Sequence, residues 1–134
     1  MLSAEEIRRR VQERLEEQRA LVRELLERRE QLRGSLFARY GVCGKESCAC
    51  RTGRRHGPYY VLSTRTSGKG AFAYLEGRRA EEARALVLRH RQFKTGLRRL
   101  RKVNAELMAL LRRYQQAMAR QGGRRVGLTA QLTG

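Results

Sequence analysis

The sequence contains no aspartate and no tryptophan, and it has one proline and 6% aromatic residues among its 134 positions. Without aspartate, the chain lacks the usual carboxylate clusters of metal-dependent nucleases, the acid of a Ser–His–Asp triad and the ligands that open an EF-hand. With so few aromatic residues, we expect a core of Leu, Val and Ala packed between helices rather than an aromatic-rich sandwich or barrel. These absences argue against an all-β fold and against an enzyme.

Long apolar runs are also missing. No stretch approaches the roughly 20 apolar residues of a membrane-spanning helix, and residues 1–10 are charged where a secretory signal peptide becomes apolar. We therefore expect a cytoplasmic protein with no membrane partner and no small-molecule substrate. In a reducing compartment, three cysteines within eight residues favour a metal site or free thiols over disulfides.

Positive charge is abundant. The chain has 31 Lys and Arg residues against 13 acidic residues, all of them Glu, and its formal net charge is +18. A basic protein gains affinity for nucleic acid by displacing condensed counterions, and the planar Arg guanidinium binds phosphate in a bidentate manner. DNA or RNA is therefore the favoured partner. An acidic protein or a membrane surface is the alternative, and an Arg-rich genome would produce the same bias without a function.

The first segment, residues 1–33, reads as one long helix. Ser3 and Glu6 form the pattern of a capping box, so the helix should begin at Ala4, and Gly34 is the first residue expected to stop it. The segment contains nine Arg and eight Glu. Because these charges nearly cancel, we expect this helix to be structural.

A second long helix is predicted for residues 78–121 by a heptad pattern. Between Glu81 and Gln121 there are eleven cations and three Glu, so its polar face is strongly basic, and Arg98, Arg101 and Lys102 are candidate phosphate contacts. The heptad residues would be buried if the two helices pair within one chain, and equally if they pair in a homodimer. The predicted seam consists of Leu86, His90, Phe93, Leu97, Leu100, Asn104, Leu107, Leu111, Tyr114 and Met118.

The middle of the chain, residues 34–77, is glycine-rich and should be compact and loop-rich. Within it, residues 59–65 and 71–75 have strand composition and flank a turn-like segment, which predicts a β-hairpin. Residues 122–134 should form a flexible tail. The expected fold is mainly α with a small β-hairpin, in which two long coiled-coil-like helices flank a zinc-knuckle-type loop.

That loop contains a Cys3His set. Cys43, Cys48, Cys50 and His56 follow the pattern C-x4-C-x-C-x5-H, and three thiols with one imidazole are a common structural zinc set. We predict one structural zinc ion, which would replace the core that this segment lacks. The alternatives are reduced structural thiols with an incidental histidine, or redox chemistry. His90 is a rival fourth ligand, although its place on the heptad seam is more typical of a core residue.

Basic and aromatic residues alternate around this loop. Cations that bind phosphates, together with rings that stack on bases, are a common way to hold nucleic acid. The tyrosines can instead pack the hairpin onto the helices, and at least one of the neighbours Tyr59 and Tyr60 must face inward, because successive strand residues point to opposite faces. The candidate contacts here are Lys45, Arg51, Arg54, Arg55, Tyr59, Tyr60, Arg65 and Lys69.

Three short runs carry a resemblance to a known family. Residues 39–45 (RYGVCGK), 48–50 (CAC) and 56–62 (HGPYYVL) resemble an uncharacterised prokaryotic domain-of-unknown-function family of small basic proteins. The similarity extends over about residues 32–111. It implies that the three cysteines and His56 act as a unit, and it suggests an association with mobile elements.

Together these observations predict a non-enzymatic nucleic-acid-binding protein, an accessory of a mobile element or nucleoprotein complex. Four protein ligands would close a zinc site to catalysis, and Glu46 is the only acid in the cysteine loop. The alternative is a helical adaptor whose heptad seam docks onto a larger nucleic-acid enzyme or ribonucleoprotein.

Overall fold

The computed structural model describes residues 1–27, 29–66 and 69–128, and within them it contains two helices and a small antiparallel sheet. The chain divides into two compact units. The helical unit comprises Met1–Glu27 and Thr95–Gly134, and the sheet unit comprises Arg28–Lys94. The elements in chain order are α1 (Ala4–Leu25), β1 (Gly34–Gly41), a 3-10 turn (Ala49–Arg51), β2 (His56–Thr66), β3 (Lys69–Leu75) and α2 (Gly77–Arg125).

Helix α1 begins as its sequence predicts. The Ser3 hydroxyl accepts a hydrogen bond from the Glu6 backbone N–H, and the Glu6 carboxylate accepts one from the Ser3 N–H, both at 3.2 Å. The helix ends at Leu25, however, and not near residue 33. Tertiary pairing accounts for the difference, because the backbone N–H of Leu32 donates to the carbonyl of Leu86 and the residues from Gly34 onward join the sheet.

In the helical unit, α1 packs antiparallel to the C-terminal part of α2. Arg8 near the start of α1 donates a hydrogen bond to the Tyr114 hydroxyl at 2.9 Å, and Glu17 near its end pairs with Arg99. Seven buried or half-buried positions of α2 here recur at alternating steps of four and three residues, as in a heptad: Gly96, Leu100, Val103, Leu107, Leu110, Tyr114 and Ala117. Glu106, Met118, Arg120 and Gly123 are half-buried as well.

This heptad differs by one residue from the predicted seam at every second position. Leu97, Asn104 and Leu111 are exposed on the flank of α2, where the Asn104 carboxamide accepts a hydrogen bond from Gln18 at 2.6 Å. Gly96 explains the shift. A Cβ at this position would lie 2.8 Å from Leu25 Cδ2, so the missing side chain makes room for the leucine.

Helix α2 also continues beyond the predicted end. Residues 122–125, predicted to belong to a flexible tail, are helical. The helix is closed by two hydrogen bonds of a Schellman motif, from the Leu128 N–H to the Gly123 carbonyl at 2.8 Å and from the Gly127 N–H to the Arg124 carbonyl at 3.1 Å. The rest of the predicted tail, residues 129–134, lies outside the described residues.

The sheet unit contains the predicted hairpin and one further strand. Strands β2 and β3 contain the predicted segments 59–65 and 71–75, and the tip residues 67 and 68 lie outside the described part of the chain. Strand β1 was not predicted. It pairs with β2, giving a three-stranded antiparallel sheet of order β1-β2-β3. The third strand supplies the support that an isolated hairpin needs.

One face of the sheet packs against the start of α2. In register, Leu36 lies beside Leu62, and the Tyr60 ring lies 5.6 Å from the guanidinium carbon of Arg84 on α2. The residues Ala80, Ala83 and Val87 on these first turns of α2 are buried. The core of the sheet unit therefore lies on this side, and the opposite face carries its own set of side chains.

Candidate metal centre

The connection between β1 and β2 carries all four predicted metal ligands. Cys43 follows β1, Cys48 precedes the 3-10 turn, Cys50 lies within that turn, and His56 opens β2 opposite Gly41. Their ligand atoms all lie within 4.8 Å of one another, and this group can hold a metal ion. The structure thus brings together the four residues selected from the sequence. His90, the rival ligand, is half-buried on α2 and is not in this group.

Two close pairs make up the cluster. The sulfur atoms of Cys43 and Cys50 are 3.6 Å apart, and the Cys48 sulfur lies 3.2 Å from Nε2 of His56. The 3-10 turn positions the two cysteines on either side of Ala49, whose carbonyl accepts hydrogen bonds from the N–H groups of Thr52 and Gly53. Cys50 is buried, whereas His56 is exposed at the rim.

Gly57 permits the approach of His56 to the edge of β1. Its φ of +133° is rarely adopted by residues with a side chain, and a Cβ there would lie 2.8 Å from the carbonyl oxygen of Arg39. Next to it, the register of β1 and β2 shifts between Arg39 and Gly41. A glycine is therefore required where the last ligand enters the sheet.

Local hydrogen bonds and burial shift the pKa values of Cys48 and Cys50 in opposite directions. The backbone N–H of Cys50, assisted by the Cys50 side chain and then by His56, lowers the pKa of Cys48 to about 6. For Cys50, the backbone N–H of Cys43 lowers the pKa, but burial and the two neighbouring thiols outweigh it, so the pKa is raised. The lowered pKa favours the thiolate of Cys48, which is the form that binds metal ions and reacts as a nucleophile.

The predicted phosphate contacts of the loop are exposed. Lys45, Arg51, Arg54 and Arg55 surround the cluster, and none of them forms an ion pair with a described residue. Arg65 is exposed near the far end of β2. Lys69 begins β3, but its side chain lies outside the described residues.

The other predicted contacts are distributed differently. Tyr59 is exposed, whereas Tyr60 is half-buried beneath Arg84, so the two neighbours face opposite sides as the strand pattern requires. Tyr60 therefore contributes to the contact between the sheet and α2. The remaining predicted cations are exposed on the part of α2 that belongs to the helical unit, and Arg98 there donates to the Thr95 hydroxyl; they are Arg98, Arg101 and Lys102.

Sequence reasoning missed the aromatic residues that accompany Tyr59 on its face of the sheet. These are Phe37 on β1 and Phe72 and Tyr74 on β3, all exposed. The alternation of small and aromatic residues in the segment 71–75 indicates that Phe72 and Tyr74 share a face. Phe37 had no such signal, because β1 was not recognised as a strand.

The fold is thus a small helix-and-sheet protein with a Cys3His cluster in the connection between its first two strands. The chain belongs to the family described as Domain of unknown function (DUF6788), whose model matches residues 4–85. The match confirms the predicted membership of an uncharacterised domain family, although it begins and ends earlier than the predicted similarity over residues 32–111. No curated protein matches the chain, and no solved structure does.

Neither described helix contains a stretch long and apolar enough to cross a membrane. This agrees with the missing apolar runs in the sequence. The cytoplasmic location stays a prediction.

Proposed function

We propose that the protein is a non-enzymatic nucleic-acid-binding protein that uses the cations of its metal loop to contact phosphates. The observation that carries the proposal is the set of exposed cations around the Cys3His cluster, Lys45, Arg51, Arg54 and Arg55, which have no ion-pair partner among the described residues. Salt bridges elsewhere engage several of the arginines. Unpaired cations on a fixed loop are free to replace the counterions of a polyanion.

The ion that we propose for the cluster is zinc, one per chain. Around a tetrahedral zinc ion with ligand distances of about 2.0 to 2.3 Å, ligand atoms lie roughly 3.3 to 3.8 Å from one another. The 3.6 Å separation of the Cys43 and Cys50 sulfurs falls in this range, and the 3.2 Å between Cys48 and His56 is slightly below it. The donor types and the two close pairs therefore suit a structural zinc, and the four ligand atoms as a group lie within 4.8 Å of one another.

A zinc ion here would have a structural role. Four protein ligands fill the tetrahedral sphere, so no position remains for a water molecule or substrate. The ion would join the end of β1, the 3-10 turn and the start of β2, and hold Arg51, Arg54 and Arg55 in one conformation. This supports binding rather than catalysis.

A salt titration tests the phosphate contacts. Replacing Arg54 and Arg55 together with alanine should weaken binding by a similar factor for different nucleotide sequences. It should also reduce the slope of log K against log[salt] by about two units, since each phosphate contact contributes roughly 0.9. The matched control is the double substitution Arg19→Ala/Arg23→Ala on α1, which removes the same charge from exposed positions outside the loop.

The two variants give a clear decision. We expect the loop variant to change the slope more than the control. An unchanged slope in the loop variant, or binding by the parent protein that does not respond to salt, would contradict the proposal. A change in sequence preference with a constant slope would instead show that the loop reads bases.

One observation favours the second candidate, a helical adaptor that docks onto a larger nucleic-acid enzyme or ribonucleoprotein. Leu97 and Leu111 on α2 stay exposed although α1 packs beside them. In that case the helical unit would contact the protein partner, and the positive charge would assist the association. Binding to free nucleic acid would then be weak and uniform.

A further inference from the structure

The face of the sheet that points away from α2 is rich in exposed rings. Residues directly opposite each other in antiparallel strands share a face, and the register places Phe37, Val61 and Tyr74 in one row and Arg39 and Tyr59 in the next. We call this surface the open face. Its residues are Ser35, Phe37, Arg39, Tyr59, Val61, Ser63, Arg65, Phe72 and Tyr74.

Four aromatic side chains on the open face are largely accessible. The exposed fractions are 44% for Phe37, 48% for Tyr59, 71% for Phe72 and 67% for Tyr74. They are half of the aromatic residues of a chain that has three Phe, five Tyr and no Trp. Soluble monomeric proteins rarely leave a large apolar patch exposed to water. A group of exposed rings on a small protein therefore typically marks an interaction site.

The open face also has a buried residue at its centre, which supports the rings around it. Val61 lies at its centre between Phe37 and Tyr74 and is only 2% exposed, so the rings rest on a packed surface. Phe72 and Tyr74 are two residues apart on β3, which separates their positions by about 7 Å along the strand. Such a surface presents its rings without a large loss of conformational entropy on binding.

The charges of the open face select the class of partner. Arg39 and Arg65 lie at its two ends, and the Arg39 guanidinium donates a hydrogen bond to the Tyr74 hydroxyl at 3.4 Å. The three strands contain no acidic residue at all. A sheet face with exposed aromatic rings and two arginines, on strands without acidic residues, is complementary to a ligand that has both flat π-systems and negative charge.

We propose that the open face binds single-stranded nucleic acid by stacking unpaired bases on Phe72, Tyr74 and Tyr59. Arg39 and Arg65 hold the adjoining phosphates. In a duplex the bases already stack on each other and expose only their edges, so a flat face of rings selects single strands. This inference rests on the proposed function and specifies its ligand.

Substitutions that separate ring stacking from apolar contact test the proposal. The double variant Phe72→Leu/Tyr74→Leu keeps apolar side chains but removes both rings, and Phe72→Tyr/Tyr74→Phe keeps two rings. Binding is measured by fluorescence anisotropy with a labelled 12-nucleotide DNA or RNA of mixed sequence and with the corresponding duplex. The leucine variant should bind the single strand at least about 30-fold more weakly, since each of the two lost base stacks costs roughly fivefold or more. The ring-exchanged variant should bind like the parent.

The outcomes distinguish this inference from the broader proposal. Parent-level single-strand binding by the leucine variant would overturn the stacking role and leave phosphate binding by the metal loop intact. Parent protein that binds neither single strand nor duplex would overturn both. An equal loss for single strand and duplex would also contradict stacking, provided that circular dichroism shows an unchanged fold. Because Phe72 and Tyr74 are mostly exposed, we expect both variants to fold, and Tyr59→Leu provides an independent second test.

Discussion

Cys48 has two features that favour metal binding at the candidate cluster. It lies closest to His56 and receives the N–H of Cys50, which lowers its pKa to about 6. A thiolate that is already deprotonated at neutral pH binds a metal ion without first losing a proton. Cys43, just after β1, and Cys50, within the 3-10 turn, complete the set of thiols in the same short connection.

Replacing this sulfur tests the zinc site. We expect one zinc ion per chain in the purified protein by elemental analysis, and a large loss of bound zinc in Cys48→Ser. Zinc bound to small structural sites contributes on the order of 10 kcal/mol to their folding, so the sheet unit of the variant should also unfold at lower temperature.

The control for this prediction is the neighbouring residue. Ser47 is exposed and is not among the ligands, so Ser47→Ala should keep both the zinc and the thermal stability. A parent protein without metal would favour reduced structural thiols instead, and a Cys48→Ser variant with full zinc content would show that Cys48 is not a required ligand.

Local spacing explains why the metal site was predictable and the open face was not. The four candidate ligands lie within fourteen residues, so their pattern can be recognised in the sequence without knowledge of the surrounding fold. The open face, in contrast, assembles Phe37 with Tyr74 from strands that are far apart in sequence. Its recognition requires the register of three strands, and β1 has the composition of a loop with scattered apolar residues.

At the scale of the elements, packing decides where the helices begin and end. The capping box predicts the start of α1 correctly because its hydrogen bonds are local. The periodicity that extended this helix to residue 33 includes Leu32 and Leu36, which pair with α2 and with β2 instead. Apolar residues at helical spacing are compatible with either state, and tertiary contacts select between them.

The displaced heptad of α2 gives a stability prediction. Val103, which the predicted seam omits, is completely buried, whereas Val22 on α1 is 37% exposed. Val103→Ala should lower the free energy of unfolding by about 2 kcal/mol, because it removes two buried methyl groups and leaves a cavity. Val22→Ala makes the same chemical change at the surface and should cost less than about 0.5 kcal/mol.

Urea unfolding of both variants provides the measurement. A greater loss of stability in Val22→Ala than in Val103→Ala would contradict the observed heptad. A glycine is accommodated at position 96 because Leu25 of α1 packs against α2 there.

At the scale of the whole molecule, the 31 cations far outnumber the 13 Glu, so most cations cannot have a carboxylate of their own within the chain. Two arginines of the helical unit, Arg14 and Arg99, form ion pairs: Arg14 pairs with Glu17 and Glu106, and Arg99 pairs with Glu17. The cations of the metal loop have no such partners among the described residues. In a chain of net charge +18, the cations of the metal loop are therefore available to a polyanion.

The exposed leucines of α2 allow the two candidate functions to be separated. The double variant Leu97→Gln/Leu111→Gln replaces apolar side chains with polar good helix formers and changes no charge. If phosphate contacts and base stacking carry the function, the affinity for single-stranded nucleic acid should stay within about twofold of the parent. The reason is that the variant changes no cation and no aromatic ring, and phosphate contacts supply most of such binding.

Sedimentation of the parent and the variant, each with and without nucleic acid, completes the comparison. An adaptor or a homodimer assembled through the heptad flank requires Leu97 and Leu111, so the variant would lose a heavier species that the parent forms. Loss of that species together with loss of nucleic-acid affinity would show that assembly precedes binding and would favour the adaptor. Retained affinity in a variant that sediments as a monomer would show that a single chain carries the complete binding surface, as we expect if the loop cations and the aromatic rings of the open face, which belong to one unit, form it.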